Sequence, residues 1–252
     1  MPVIEIPFAS LAAALVFACA YLAGGRLASS EKVERFWTRR RYISAAAGIS
    51  VAYIFVDVLP ELEVQRQVVV KAAQGVELMF AEQRIYLLAL LSFVVLYGLE
   101  HMVLVTRQGR RGNVDVRKAD AVYWVQLAGY AAYSALIAYL VIDRAERGAL
   151  ALGVHAFAMA VHFLIVDHAL AEEHGRMYTP RGRWLLAASV LVGWLIGAAT
   201  PVSKLVVARL FAILAGGVVI TSLRAELPDN REGRFWPFCV GAVVFATLLI
   251  FA

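Results

Sequence analysis

Runs of roughly twenty apolar residues follow one another along the whole of this 252-residue chain, at about 4–24, 42–60, 85–105, 119–141, 149–170, 184–200, 204–223 and 235–252. A hydrocarbon core about 30 Å thick is crossed by a helix of about 17 to 25 mostly apolar residues, so each run is long enough to span. A backbone facing lipid must satisfy its hydrogen bonds within its own segment, and these runs are too long and too uniformly apolar for barrel strands. The chain therefore reads as an all-α polytopic membrane protein, with eight transmembrane helices in one transmembrane domain covering 1–252. Composition agrees: 62% of residues are hydrophobic and 17% charged, with a mean hydropathy of +0.72, far from the profile of a water-soluble domain. The first run, "IEIPFASLAAALVFACAYLAGG", lacks the positive start of a cleaved signal peptide and is read as a retained helix.

The formal charge of +5 does not point to nucleic acid, because the basic residues cluster in short loops between the runs. The first, third, fifth and seventh loops ("RLASSEKVERFWTRRR", "TRQGRRGNVDVRK", "RMYTPRGR" and "RAELPDNREGR") hold most of the Lys and Arg. By the positive-inside rule these loops are cytoplasmic, which places both termini outside a multi-pass protein of the cell membrane. The longest even-numbered loop, "ELEVQRQVVVKAAQGVELMFAEQR", mixes apolar and charged residues and is expected to lie along the outer membrane surface. Cys19 and Cys239 both fall in apolar runs and read as small core residues rather than a disulfide or a metal pair.

The second and seventh runs echo one another. "AAAGISVAYIFVDVLPEL" and "AILAGGVVITSLRAELPD" share a small-residue start containing Gly, a branched apolar middle and an acid beside a proline at the exit. In an eight-span chain these two runs are antiparallel, which is how an inverted repeat of the kind found in secondary transporters would look.

The fifth run carries the densest chemistry. "VHFLIVDHALAEEHG" holds three histidines and three carboxylates in fifteen positions. His162 falls near mid-span, and an ionisable group at that depth marks a pathway or site by default. His155 lies two turns away, about 10 Å along the axis, so the two imidazoles cannot share one ion. Asp167 and His168 diverge from His162 around a regular helix, and no Pro or Gly bends this stretch, so each should meet partners on a different helix. His168 and Glu172 share a face at i and i+4 and could offer two ligands to a borderline cation. Glu172 and Glu173 precede Gly175, where the helix is expected to stop, and oppose its dipole; Arg176, Arg181 or a bound metal could compensate them. Glu100 and His101 end the third run and Glu226 the seventh at the same membrane face, where they could join His168 and Glu172 in an acidic and imidazole cluster. At the opposite face Asp57 and Glu61 flank Pro60, whose break in the helix would free carbonyls for a cation. Gln126, Tyr130 and Ser134 form one polar stripe along the fourth run, expected to face the bundle interior.

The order of these motifs resembles the ZIP family of divalent-metal transporters. "AAAGISVAYIFVDVLPEL" looks like that family's second span, "LEHMV" like the end of its third and "LAGGVVITSLRAELPD" like its seventh. The resemblance implies a ZIP-like bundle of eight spans with inverted-repeat character, both termini outside, and a metal site between spans four and five. Tyr133 and Ser134 stand where the family carries His and Asn, with Ile137 and Ala138 after them. In the fifth span His162 matches, Ile165 replaces a Pro, Val166 replaces a ligand, and Asp167 stands for the next acid. The implied ligand set is thus His162 and Asp167, aided by Tyr133 and Ser134, a harder and poorer site than a zinc carrier uses.

The expected function is ZIP-like transport of a cation, divalent by that resemblance (Zn²⁺ or similar), toward the cytoplasm by alternating access. The ion is substrate, no cofactor is required, and no enzymatic activity is expected. The partners are the lipid bilayer and the metal ion, with a homo-oligomer compatible. Two alternatives compete: a ZIP-derived protein that no longer transports and serves as a metal sensor or structural partner, and a membrane-embedded metal-dependent hydrolase, which would need about three convergent ligands around an open position.

Overall fold

The computed structural model describes residues 5–28, 39–73, 80–108, 116–178, 180–200, 203–226 and 235–251. Its elements are helical throughout: α1 (Glu5–Ala28), α2 (Arg39–Tyr53), a π-helical turn (Ile54–Val58), α3 (Leu59–Ala72), α4 (Ala81–Gln108), α5 (Val116–Glu146), α6 (Ala149–His174), a short 3-10 turn (Gly175–Met177), α7 (Pro180–Ala199), α8 (Lys204–Glu226) and α9 (Phe235–Phe251). Among the described residues six segments are long and apolar enough to cross a membrane, and Phe8–Gly24 and Phe235–Phe251 are shorter apolar helices. The chain is a polytopic, all-helical membrane protein.

Two glycines punctuate the middle of the chain. Gly148 (φ 121°) reverses direction between α5 and α6, and Gly175 (φ 53°) stops α6, both in conformations that L side chains rarely adopt. Between them α6 is unbroken, as the absence of Pro and Gly from its second half requires.

The second span is different. Pro60 has no N–H to offer the carbonyl of Val56, and its ring crowds that carbonyl. The helix widens to a π turn over Ile54–Val58 and then continues as α3 to Ala72. The segment expected to lie along the membrane surface is therefore, through Ala72, a continuation of span two. Its Glu61, Leu62, Gln65 and Val69 are buried, and the helix packs on α4 and α8.

The principal helix contacts are α2 on α9, α4 on α8, α5 on α7, and α1 on both α6 and α7; α2 and α5 also reach α6 and α8. Small residues set the closest approaches. A Cβ on Gly48 of α2 would collide with the Phe238 carbonyl of α9, and one on Gly216 of α8 with the Ala89 carbonyl of α4, which is how transmembrane helices gain backbone-to-backbone contact without a hydrophobic drive between them. Burial separates centre from periphery: 61% of the apolar window of α8 is buried but only 17% of that of α4. On α4 and α9, large apolar side chains such as Leu90, Leu91, Val243 and Val244 point outward, as lipid-facing surfaces do. Cys19 is likewise exposed and Cys239 intermediate, both free thiols, so neither is a core residue.

Candidate functional site

His162 sits in the middle of α6, 1% exposed, among residues of α5 and α8. Tyr133 presents its ring to the imidazole edge-on, centroids 6.0 Å apart. Thr221 Oγ1 lies 3.4 Å from His162 Nε2, a long contact. The threonine hydroxyl donates to the Gly217 carbonyl at 2.8 Å, so its lone pairs face the imidazole. That network assigns the proton to Nε2 and leaves Nδ1 as a bare acceptor. Nδ1 has no hydrogen-bond partner, and neither does the buried Tyr133 hydroxyl. A buried polar atom left unsatisfied costs about 1 to 3 kcal/mol, and native structures contain few of them. Four side-chain atoms are in this condition among the described residues: those of Ser50, Tyr133, His162 and Ser222. They come one each from α2, α5, α6 and α8.

Next to this imidazole runs a satisfied chain. Ser134 donates to the Tyr130 carbonyl at 2.7 Å, which leaves Tyr21 of α1 to donate to Ser134 Oγ at 2.7 Å. Gln126, Tyr130 and Ser134 are all buried, so the polar stripe of span four faces inward as its spacing indicated.

Asp167, the second residue of the implied ligand pair, is also interior at 1% exposed, but it is not open. Arg183 Nε donates to Oδ1 at 2.7 Å and Nη2 to Oδ2 at 3.2 Å, and the Tyr178 hydroxyl donates to Oδ1 at 2.8 Å. The guanidinium carbon stands 5.2 Å over the Tyr178 ring. Burial, and then the charge of Asp167, hold the Tyr178 phenol far above its ordinary range, so it remains a donor. Gly24 of α1 makes the room: a Cβ there would overlap the Asp167 carboxylate.

The acids at the opposite end are paired in the same manner. Arg144 donates to both oxygens of Asp57, at 3.3 and 2.9 Å. Arg147 forms a fork on Glu61, whose Oε1 also accepts from Gln65 Nε2 at 2.5 Å. One turn before Asp57, Tyr53 Oη lies 2.8 Å from His155 Nδ1. Asp57 and Glu61 thus face guanidinium groups rather than an open position.

The expected cluster at the Asp167 end is dispersed. Glu100 is buried and accepts from the Tyr130 hydroxyl at 2.5 Å, whereas His101 is exposed and stacks on Tyr97. His168 Nε2 lies 3.4 Å from Glu172 Oε1. Glu173 accepts from Gln126 Nε2 at 2.7 Å, and Gln126 in turn meets His174. Gln126 therefore contacts Glu173 where Arg176 or Arg181 was expected; Arg181 is exposed. The side chains of Arg176 and Glu226 lie outside the described residues. Among the described residues, no three His, Cys, Asp or Glu side chains converge in a way that could hold a metal ion.

Sequence reasoning did not find the arginines. Arg144, Arg147 and Arg183 sit at the ends of apolar runs, where a positive residue already has a reason to be, as a topology signal. One signal was available: Asp57 and Glu61 share a helix face at i and i+4, and Arg144 and Arg147 share one at i and i+3, so two matched faces were present in the chain. Tyr21 and Thr221 gave no signal, because isolated hydroxyls are common in membrane helices.

No protein-family model matches the chain, and neither a curated protein nor a solved structure matches it.

Proposed function

We propose that the protein is a membrane carrier of a cation, divalent by its resemblance to the ZIP family, that moves its substrate toward the cytoplasm by alternating access around His162. The observation that carries this reading is the unpartnered Nδ1 of His162, buried at mid-span against Tyr133 of α5 and Thr221 of α8. A neutral imidazole with a free lone pair is a ligand for borderline divalent ions. The three other unsatisfied atoms, those of Ser50, Tyr133 and Ser222 on α2, α5 and α8, are of the kind that a hydrated pathway would serve.

The eight-span, inverted-repeat arrangement belongs to the same proposal, and the helix contacts support it. Number the spans one to eight, with α2, the π turn and α3 together as the second. Exchanging one with six, two with seven, three with eight and four with five carries the α2 and α9 contact onto that of α8 and α4. The same exchange carries α5 and α7 onto α6 and α1, and α2 and α6 onto α8 and α5. Aligning Gly48 with Gly216 also aligns Pro60 with Pro228 and Tyr53 with Thr221. Those last two hydroxyls meet two of the histidines of α6, His155 and His162 respectively. Two related halves packed around a shared pair of helices are the architecture that rocking-type alternating access uses.

The paired acids favour a second reading, a ZIP-derived protein that has given up transport, because Arg144, Arg147 and Arg183 hold carboxylates that a cation would otherwise take. Zinc uptake into proteoliposomes separates the two. The carrier reading expects uptake by the wild type and its loss in His162→Ala and Asp167→Asn; equal flux through all three, or none through the wild type under any gradient, removes it.

A further inference from the structure

Arg183 is the only cation that Asp167 touches among the described residues, and it differs from its partner in one respect that matters. Asp167 is 1% exposed, while the Arg183 side chain retains 19% exposure. A carboxylate buried at that level without a partner costs several kcal/mol, so an empty carrier needs something positive there. The guanidinium supplies it from a long side chain that is itself part-exposed. It reaches inward over the Tyr178 ring, which offers a face for the cation to slide along. Tyr178 and the cradle left by Gly24 would stay in place if the arginine withdrew.

Asp167 is five residues beyond His162, about 7.5 Å along the axis and about 140° around the helix. A single ion cannot touch both, so the two are successive stations rather than one site. The groups around the first station, Tyr133, Thr221 and the Tyr21 and Ser134 pair, carry no formal charge. A dication leaving it toward the side read as cytoplasmic meets the carboxylate of Asp167 five residues further along the same helix.

We propose that Arg183 is a tethered competitor of the transported cation: guanidinium and substrate occupy Asp167 alternately, and the return of Arg183 expels the ion and resets the empty carrier. This rests on the carrier reading and adds the residue that governs affinity and release. With Arg183 seated the pair is neutral; with a dication seated the site carries one net positive charge, which favours release, and the guanidinium moves to the edge of the bundle, where water and salt screen it.

The test is Zn²⁺ binding by calorimetry on the full-length purified protein, alongside uptake by the same preparations in proteoliposomes. Arg183→Ala should bind Zn²⁺ about tenfold more tightly than the wild type, a coupling of ordinary size for two sites in one protein, and should release it more slowly, so that net uptake falls while binding rises. Adding Asp167→Asn to Arg183→Ala should abolish the gain. Should Arg183→Ala fold poorly, Arg183→Gln keeps hydrogen-bonding capacity toward Oδ1 without the charge and should show the same gain. Free guanidinium ion should weaken Zn²⁺ binding to either Arg183 variant but not to the wild type, a competition that a merely structural arginine would not produce. Wild type and Arg183 variants that transport zinc and bind it with equal affinity would overturn the role of Arg183 and leave the carrier reading intact. If no variant binds or transports Zn²⁺, the carrier reading itself fails, and this inference with it.

Discussion

Two histidines seven residues apart on α6 share a chemistry and differ in company. His155 Nδ1 is engaged by the Tyr53 hydroxyl, while His162 Nδ1 is engaged by nothing; the first reads as a structural contact and the second as a ligand in waiting. That both would face inward was legible in the sequence, because an ionisable group in an apolar run is too costly to turn toward lipid. Asp167 is interior for the same reason, and the i, i+4 spacing of Gln126, Tyr130 and Ser134 placed that stripe inward. What the residues could not reveal was pairing. A carboxylate awaiting a metal and one already holding an arginine are identical in sequence, and the arginines had another explanation as loop residues. Gly24 states the consequence most sharply. Gly24→Ala should lower stability by about 1 to 3 kcal/mol, the usual range for overpacking, since the added methyl meets an Asp167 carboxylate that Arg183 and Tyr178 hold in place. Gly153→Ala, on the same helix as Asp167 but with open space beside it, should leave stability unchanged or slightly higher. Thermal unfolding of the detergent-solubilised variants reads both, and a reversed order would mean that the Asp167 cradle is not as tight as described.

At the scale of elements, apolar length and helix punctuation were the legible quantities. Among the described residues each expected run falls on helical structure to within one residue, the second crossing a π turn, and Gly175 ends α6 where a stop was expected. Pro60 was legible as a disturbance but not as to its kind: a π turn absorbs it and the helix continues, because Glu61, Leu62, Gln65 and Val69 have α4 and α8 to pack against. No local rule carries that information. The glycine crossings are the elements' strongest shared constraint. Gly48→Leu and Gly216→Leu each drive a side chain into the backbone of a neighbouring helix, α9 in one case and α4 in the other. Both should cut the yield of monodisperse protein on size-exclusion chromatography sharply, and to a similar extent if the proposed repeat holds, because it makes the two positions equivalent. A severe loss from one and none from the other would count against that equivalence.

Across the whole molecule, the arrangement is a set of central helices with charged pairs at both ends and an uncharged polar middle. Arg144 and Arg147 tie the end of α5 and its loop to span two at one end, and Arg183 ties α7 to α6 at the other. On the proposed carrier reading, such pairs at both ends correspond to an enclosed state, from which either end would open as its ion pairs part. The composition could establish a membrane protein, and motif order could suggest which kind, but the ion pairing at both ends is a property of the packed chain alone. It can be examined directly by replacing His162 with cysteine in a protein whose Cys19 and Cys239 are changed to alanine, and applying a membrane-impermeant maleimide to sealed vesicles from one side at a time. Alternating access predicts labelling from each side, slowed when Asp57 and Arg144 or Asp167 and Arg183 are replaced by an engineered disulfide at the corresponding end. A cysteine that reacts from neither side, in protein shown to be folded, would contradict it.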